Sequence, residues 1–473
     1  MRIFAVFRTA REGGIALLIV LLMLLAVSGS SFSFVWFTSQ QQARAGARLR
    51  SAAALAAAEA GVHRALGILE TPAAGGVRSG RTWRPTAYGE GWRAGGFDGR
   101  FTIAIIDAPG GGVWVTSAGE AGGMIRRVRA RVYLAPPSLL AALYGASFVF
   151  LERPPAAMVL LPYGAGIGDR PWIHIAAGAG IGFATTGVSI NDPFRAVQAG
   201  PGPLDAPEGA GGTAVPLRPG PVRLLLARGA GLTLGPDGRR VDLQQLRVMG
   251  VYVEGVVIRE AELPVLPEVN RAYYRTLAAA NTANARLNFA AGRHAGDLDL
   301  AAKRDSLYSR NEFELLLAYL RAVRLPGIFR GVVYLQAGLY LVDGQRLQIA
   351  DGALIAESTV YLGREASLEI THSASTRTLP ALLVLDDGAL VATLGARLRA
   401  HGLVYADRSI DIGRDARLDV VGAVLGADPE FSFRNFGGDA VIRYDPAVLG
   451  TPGLEVPDDA PVVAWVAAWE ELP

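Results

Sequence analysis

The chain has no cysteine among its 473 residues. That excludes disulfide staples and thiolate metal centres, so an exported head would rest on its core alone. Lysine occurs once, at Lys303, and arginine carries the rest of the positive charge. The formal net charge of +3 is too small to imply a polyanionic partner by itself. The five histidines (His63, His174, His294, His372, His401) show no metal-ligand spacing. No phosphate-cradling loop, dinucleotide fingerprint or nucleophile elbow occurs, and the glycine run from Gly178 reads as strand corners. The expectation is no cofactor, no metal and no small-molecule substrate.

What is present begins with a short basic leader, Arg2, Arg8 and Arg11, running into Gly13-Gly14. The 23 residues from Ile15 to Phe37 then carry no charge. At about 1.5 Å per residue they form a helix long enough to cross a bilayer. Residues 40–70 are rich in alanine and leucine with arginine interspersed, so the helix is expected to continue through them. Three readings fit this start: a cleaved secretory signal, an uncleaved signal anchor, and a class III signal cut after glycine. The apolar core runs on through Trp36-Phe37 into more helix, which favours the third. Arginines on both sides of the span leave orientation open.

The run from Gly14 through Ala57-Ala58-Glu59-Ala60-Gly61 resembles the N-terminus of PilX-type minor pilins. A short tail containing Trp465 and Trp469 adds to the likeness. The resemblance implies cleavage between Gly14 and Ile15, with Gly13 as the alternative. It also implies an inner-membrane stage, a prepilin peptidase, and minor and major pilins as partners docked through the helix, with Glu59 on the docking segment. Major pilins place a glutamate five residues after the cut. Here that position is Ile19, or Leu18 for the earlier cut. A buried carboxylate needs a partner, so its absence suits a subunit at a filament tip, with display at the cell surface.

Beyond a Gly75-Gly76 break, three alternating segments predict a small antiparallel meander over 75–135: Arg100–Ile106, Gly112–Ala118 and Ile125–Leu134. Phe101, Ile103 and Ile105, then Val113, Val115 and Ser117, then Val128, Ala130 and Val132 should face the helix. Arg127, Arg129 and Arg131 should face out, as a solvated face or a phosphate-attracting stripe.

After Pro136-Pro137 the composition turns to short β-branched strands punctuated by glycine. Gly402-Leu-Val-Tyr-Ala recurs as Gly422-Ala-Val-Leu-Gly, and Gly363-Arg-Glu-Ala-Ser-Leu recurs as Gly413-Arg-Asp-Ala-Arg-Leu. Asp351-Gly-Ala-Leu-Ile-Ala likewise resembles Asp387-Gly-Ala-Leu-Val-Ala. Spacings near multiples of about 20 predict the rungs of a parallel β-solenoid, with a β-sandwich as the alternative. The first block should span 138–263 and the second 326–450, split by a helical interruption over 264–325, one of whose helices could cap the stack. Residues 193–221 read as a loop. The tail, 451–473, is expected to return a strand to the pilin-like sheet. The fold class is therefore mainly β with a long N-terminal helix: a pilin-like helix and small antiparallel sheet carrying a large parallel solenoid. That layout resembles ComZ-like competence pilins, which implies contact with DNA.

Candidate DNA contacts on the solenoid are Arg397, Arg399, Arg408, Arg414, Arg417 and Arg434, with Tyr405 to stack on bases. Interleaved Asp407, Asp411, Asp415 and Asp419 nearly cancel them. A polysaccharide-acting enzyme would need clustered carboxylates on one rung face. Asp386-Asp387 is adjacent and so points both ways in a strand, which reads as a turn. A non-enzymatic subunit is the expectation.

Overall fold

The structure is a computed structural model. It describes residues 3–70, 78–79, 82–83, 88–94, 97–108, 112–135, 137–152, 157–162, 173–183, 189–190, 222–226, 230–234, 239–242, 244–245, 255–259, 266–325, 327–342, 344–373, 375–455 and 463–472. The expected Gly75-Gly76 break and the loop over 193–221 lie outside these residues.

One helix runs from Ile3 to Glu70. It begins twelve residues before the expected Ile15, because glycine costs a helix only about 1 kcal/mol and Gly13-Gly14 has strong helix formers on both sides. Its C-terminal part packs on a five-stranded antiparallel sheet: Tyr88–Ala94, Phe97–Asp107, Val113–Ala121, Met124–Ala135 and Val463–Leu472. The first of these is a strand beyond the three-stranded meander expected, and the last comes from the tail. Phe101, Ile103, Ile105, Val113, Val115, Val128, Ala130 and Val132 meet Ala58, Val62, Ala65 and Leu69 in one buried cluster. The alternation put those side chains on the helix side, as anticipated.

Alanine and glycine set how closely the helix can approach. A Cβ on Gly119 would lie 2.2 Å from the Ala54 carbonyl oxygen, and one on Gly61 would lie 2.1 Å from the Ser117 hydroxyl. The Ala57-Ala58-Glu59-Ala60-Gly61 segment therefore has a packing role: Ala57, Ala58 and Gly61 face the sheet while Glu59 points to solvent.

The head is a coil of parallel strands with three faces. The first face stacks Gly327–Arg330, Arg346–Ala350, Ser367–Thr371, the opening halves of Arg397–Ala406 and Arg417–Gly426, then Asp439–Tyr444 and Ala157–Pro162. The second continues from the same long strands and reaches Ala141–Gly145, Ile173–Ala177, Val222–Leu226 and Gly255–Arg259. The third is a nine-stranded sheet from Leu339–Leu341 to Gly231–Leu234, closed by the antiparallel strand Arg239–Val241. This is the stacking expected of a solenoid, with every strand pair along the three faces in parallel register apart from that last one.

The two blocks form one continuous stack, in which Arg417–Gly426 pairs directly with Ala141–Gly145. The chain enters at the middle and coils outward to Gly255–Arg259. It then restarts at the far end, near Leu307–Tyr308, and coils back to the middle. The expected split by helices is thus corrected. The helices cover the far end because that end would otherwise expose the apolar interior of the last coil. Arg310–Ala322 closes it with buried Phe313, Leu316, Leu317 and Leu320, and the Phe313 ring lies 5.3 Å from Phe329. Ser309 and Glu312 form a capping box at its start. Helix Arg271–Ala280 lies along the outer side of the second face, where Arg275 bonds Tyr334 and Glu357. Ala285–Ala295 and Leu298–Ala302 are two further helices that the periodicity did not suggest.

The insertion closes where it opened. After Asp439–Tyr444 the chain passes a short 3-10 turn, Pro446–Gly450, and returns as Val463–Leu472 beside Met124–Ala135. The whole solenoid is inserted between two neighbouring strands of the helix-bearing sheet.

Repeats that look alike do not all occupy like places. Gly402 and Gly422 are register partners at the same corner, and Gly363 and Gly413 both begin the turn into the first face. Asp351-Gly352 and Asp387-Gly388 sit at different corners, leading into the second and third faces. At Gly422, with φ 150°, a Cβ would lie 2.0 Å from the Gly402 carbonyl oxygen. Gly422→Ala should cost about 3 kcal/mol or more, read as a lower denaturant midpoint.

His372 is buried at the corner of the coil that carries an extra loop, its Nε2 2.8 Å from the Gly352 carbonyl oxygen. Burial pushes its pKa down to about 4, which that carbonyl contact only partly opposes. The unfolded chain takes up the proton near pH 6.5 and the folded one does not until about 4. Stability is therefore full above 6.5 and falls as pH drops between them, by up to about 3 kcal/mol. Thermal melts from pH 7 to 4 should show this slope, and His372→Gln should flatten it.

Candidate functional site: the projecting helix and the charged coil faces

From Val20 to Phe37 the helix carries only apolar and small polar side chains, and among the described residues nothing covers it. It is long and apolar enough to cross a membrane. Gly14, Ile15 and Ile19 lie on the same helix, where only the backbone is described. Past Gln40 one side turns to the sheet, and Arg126 reaches the Ser51 hydroxyl at 2.9 Å. Glu70 accepts a hydrogen bond from the Ala464 backbone N–H at 3.1 Å, tying the helix end to the last strand.

The solenoid arginines do not gather on one surface. Arg397, Arg399 and Arg417 lie on the first face, Arg434 lies on the third, Arg408 sits at the corner leading into it, and Arg414 occupies the corner between the third and first faces. Most are drawn to carboxylates on neighbouring coils or turns. Arg399 meets Glu369 at 3.4 Å, Arg417 meets Asp419 at 3.7 Å, Arg408 meets Asp428 at 3.5 Å and Arg414 meets Asp415 at 3.6 Å. Arg397 stands in register beside Arg417, and Arg443 pairs with Asp419 at 2.5 Å. Arg399 stands between Glu369 and Asp419 across three coils, because parallel register places equivalent positions side by side.

Tyr405 must be withdrawn as a stacking residue. It is 5% exposed, in register between Leu383 and Leu425 on the second face, with the Pro446–Gly450 turn packed on its strand and Arg271 close by. Burial, reinforced by Asp407, raises its pKa. Of the outward arginines of the meander, Arg127 is exposed while Arg129 and Arg131 are half-buried: Arg129 lies 3.9 Å over the Trp114 ring and 3.6 Å from Glu470.

Sequence reading missed a column on the third face. Tyr340, Tyr361, Val391, Asp411, Arg434 and Phe150 follow one another in register. At its centre Arg434 makes two bonds to Asp411, at 2.6 and 2.7 Å, and stacks near Phe431 and Phe436. The bond to Asp411 holds the guanidinium pKa above its usual value. The pair borders a polar hollow of about 310 Å³ with Arg408, Ser409 and Asp428. The two partners are 23 residues apart, so their spacing gives no periodic signal without the coil register.

No family model and no curated protein matches this sequence. Among solved structures the chain is similar to the crystal structure of competence-associated pilin ComZ from Thermus thermophilus. The similarity covers 89% of this chain and 98% of that one, at 13% identity and a TM-score of 0.26. So low a score carries nothing further about this chain.

The fork between Arg434 and Asp411 is a structural clamp. Asp411→Asn should lower stability by about 2 kcal/mol by leaving the half-buried guanidinium unpaired. Arg434→Gln in the same background should add little, and a double-mutant cycle by chemical denaturation measures that coupling.

Proposed function

We propose that the chain is a non-enzymatic, pilin-like minor subunit of a type IV pilus or a related machine, seated at the filament tip. What supports this is one arrangement: a single helix whose apolar N-terminal half is exposed from Val20 to Phe37 and whose C-terminal half is locked onto an antiparallel sheet. An uncovered apolar helix stays stable only in a bilayer or against other apolar helices. Both environments follow in turn for a subunit that leaves the inner membrane for a filament. Other minor and major pilins would pack on that half of the helix, and exposed Glu59 stands beyond the close-packed alanines for such contacts. The lack of a carboxylate at Ile19 or Leu18 supports the tip position, since the subunit brings no group to pair with one ahead of it.

In this reading a prepilin peptidase removes residues 1–14 and the solenoid is displayed outside the cell. A DNA-receptor role gains no support from the solenoid arginines, which are spread over several faces and mostly paired with carboxylates. Mass spectrometry of the protein from cells with an active prepilin peptidase should give a chain starting at Ile15. A chain retaining Met1 would overturn the reading.

A further inference from the structure

The far end of the stack carries a groove of about 540 Å³ between the C-terminal end of helix Arg310–Ala322 and the corner of the outermost coil. Leu317, Leu320 and Leu341 lie at its base, and Arg321, Arg324 and Arg346 line it. Among the described residues no acidic side chain lines it, although Asp343, next along the chain, lies outside them. The contrast with the rest of the head is sharp, because the coil arginines elsewhere mostly meet carboxylates.

The rim is apolar where a capping unit should be polar. Leu325 is 57% exposed and Val342 51%. Arg324 sits at φ 55°, in the turn where the Leu325 N–H bonds back to the Leu320 carbonyl. Glycine is the ordinary residue for that left-handed position, and arginine there costs about 1 kcal/mol. The strain is kept and a cation is presented at the groove.

We propose that this end of the solenoid docks on an anionic lipid surface. Arg321, Arg324 and Arg346 receive the phosphate headgroups, and Leu325 and Val342 enter the interface beside them. The occupant follows from the chemistry. Exposed aliphatic side chains flanked by arginine match an interface that is negative at its surface and apolar just beneath. A soluble phosphate would use the arginines and leave the aliphatic rim without a role. An acidic peptide would use both, so the test below separates it.

The full chain is held by its own helix in nanodiscs of phosphatidylcholine and mixed with phosphatidylcholine vesicles that contain or lack phosphatidylglycerol. Co-flotation should occur with the anionic vesicles, fall with added salt, and be absent from empty nanodiscs. Arg321→Gln with Arg346→Gln, and separately Leu325→Gln with Val342→Gln, should each reduce it about tenfold. Arg324→Gly is the decisive variant. It relieves the backbone strain, so it should melt no lower than the parent yet bind anionic vesicles several-fold less. Equal flotation with neutral vesicles, no flotation, or flotation unchanged in these variants would overturn the proposal. So would displacement by an acidic peptide at concentrations where inorganic phosphate has no effect.

Discussion

The head depends on one parallel pairing, where Arg417–Gly426 lies beside Ala141–Gly145. Outward and returning coils are far apart in sequence and share no turn. This ladder, with the neighbouring pairs Asp439–Tyr444 beside Ala157–Pro162 and Phe431–Asn435 beside Phe148–Leu151, makes one stack of them. Parallel strands need both faces covered, and here the interior covers one side while Arg271–Ala280 and the segment around Leu454 cover much of the other. That double cover explains why Leu403–Ala406 and Ala423–Gly426 are buried at every position and do not alternate.

Charge follows the same register. A row of arginines read along the sequence suggests a polyanion site. Stacked, the row becomes a set of ladders in which Glu369, Arg399 and Asp419 succeed one another across three coils. Half-exposed pairs of this kind add little stability individually, but they oppose a slip by one coil, which would set like charges side by side.

Much of the architecture was legible because it rests on local periodicity. The uncharged run after Gly14 gave the helix, the alternation in Arg127–Val132 gave the buried face of the sheet, and Gly402 and Gly422 marked one corner of successive coils. The path of the chain was not legible, since a fold that restarts from its far end leaves the same local pattern as one that advances steadily. Asp351 and Asp387 misled for a related reason: a tight corner selects the same residues whichever face follows. Tyr405 looked like a stacking residue because nothing near it in sequence says that Arg271, on a helix more than a hundred residues earlier, comes close to it. The Asp411 and Arg434 clamp was hidden in the same way.

The placement of the insertion has a wider consequence. The chain leaves the helix-bearing sheet at Ala135 and rejoins it at Val463, and these two residues are register partners on adjacent strands. The ends of the solenoid are therefore held about 5 Å apart, the spacing of any two paired strands. A domain tethered at two such close points needs no particular length or shape to satisfy its host. The helix and its sheet can thus stay unchanged while the inserted domain is lengthened by whole coils, shortened, or replaced.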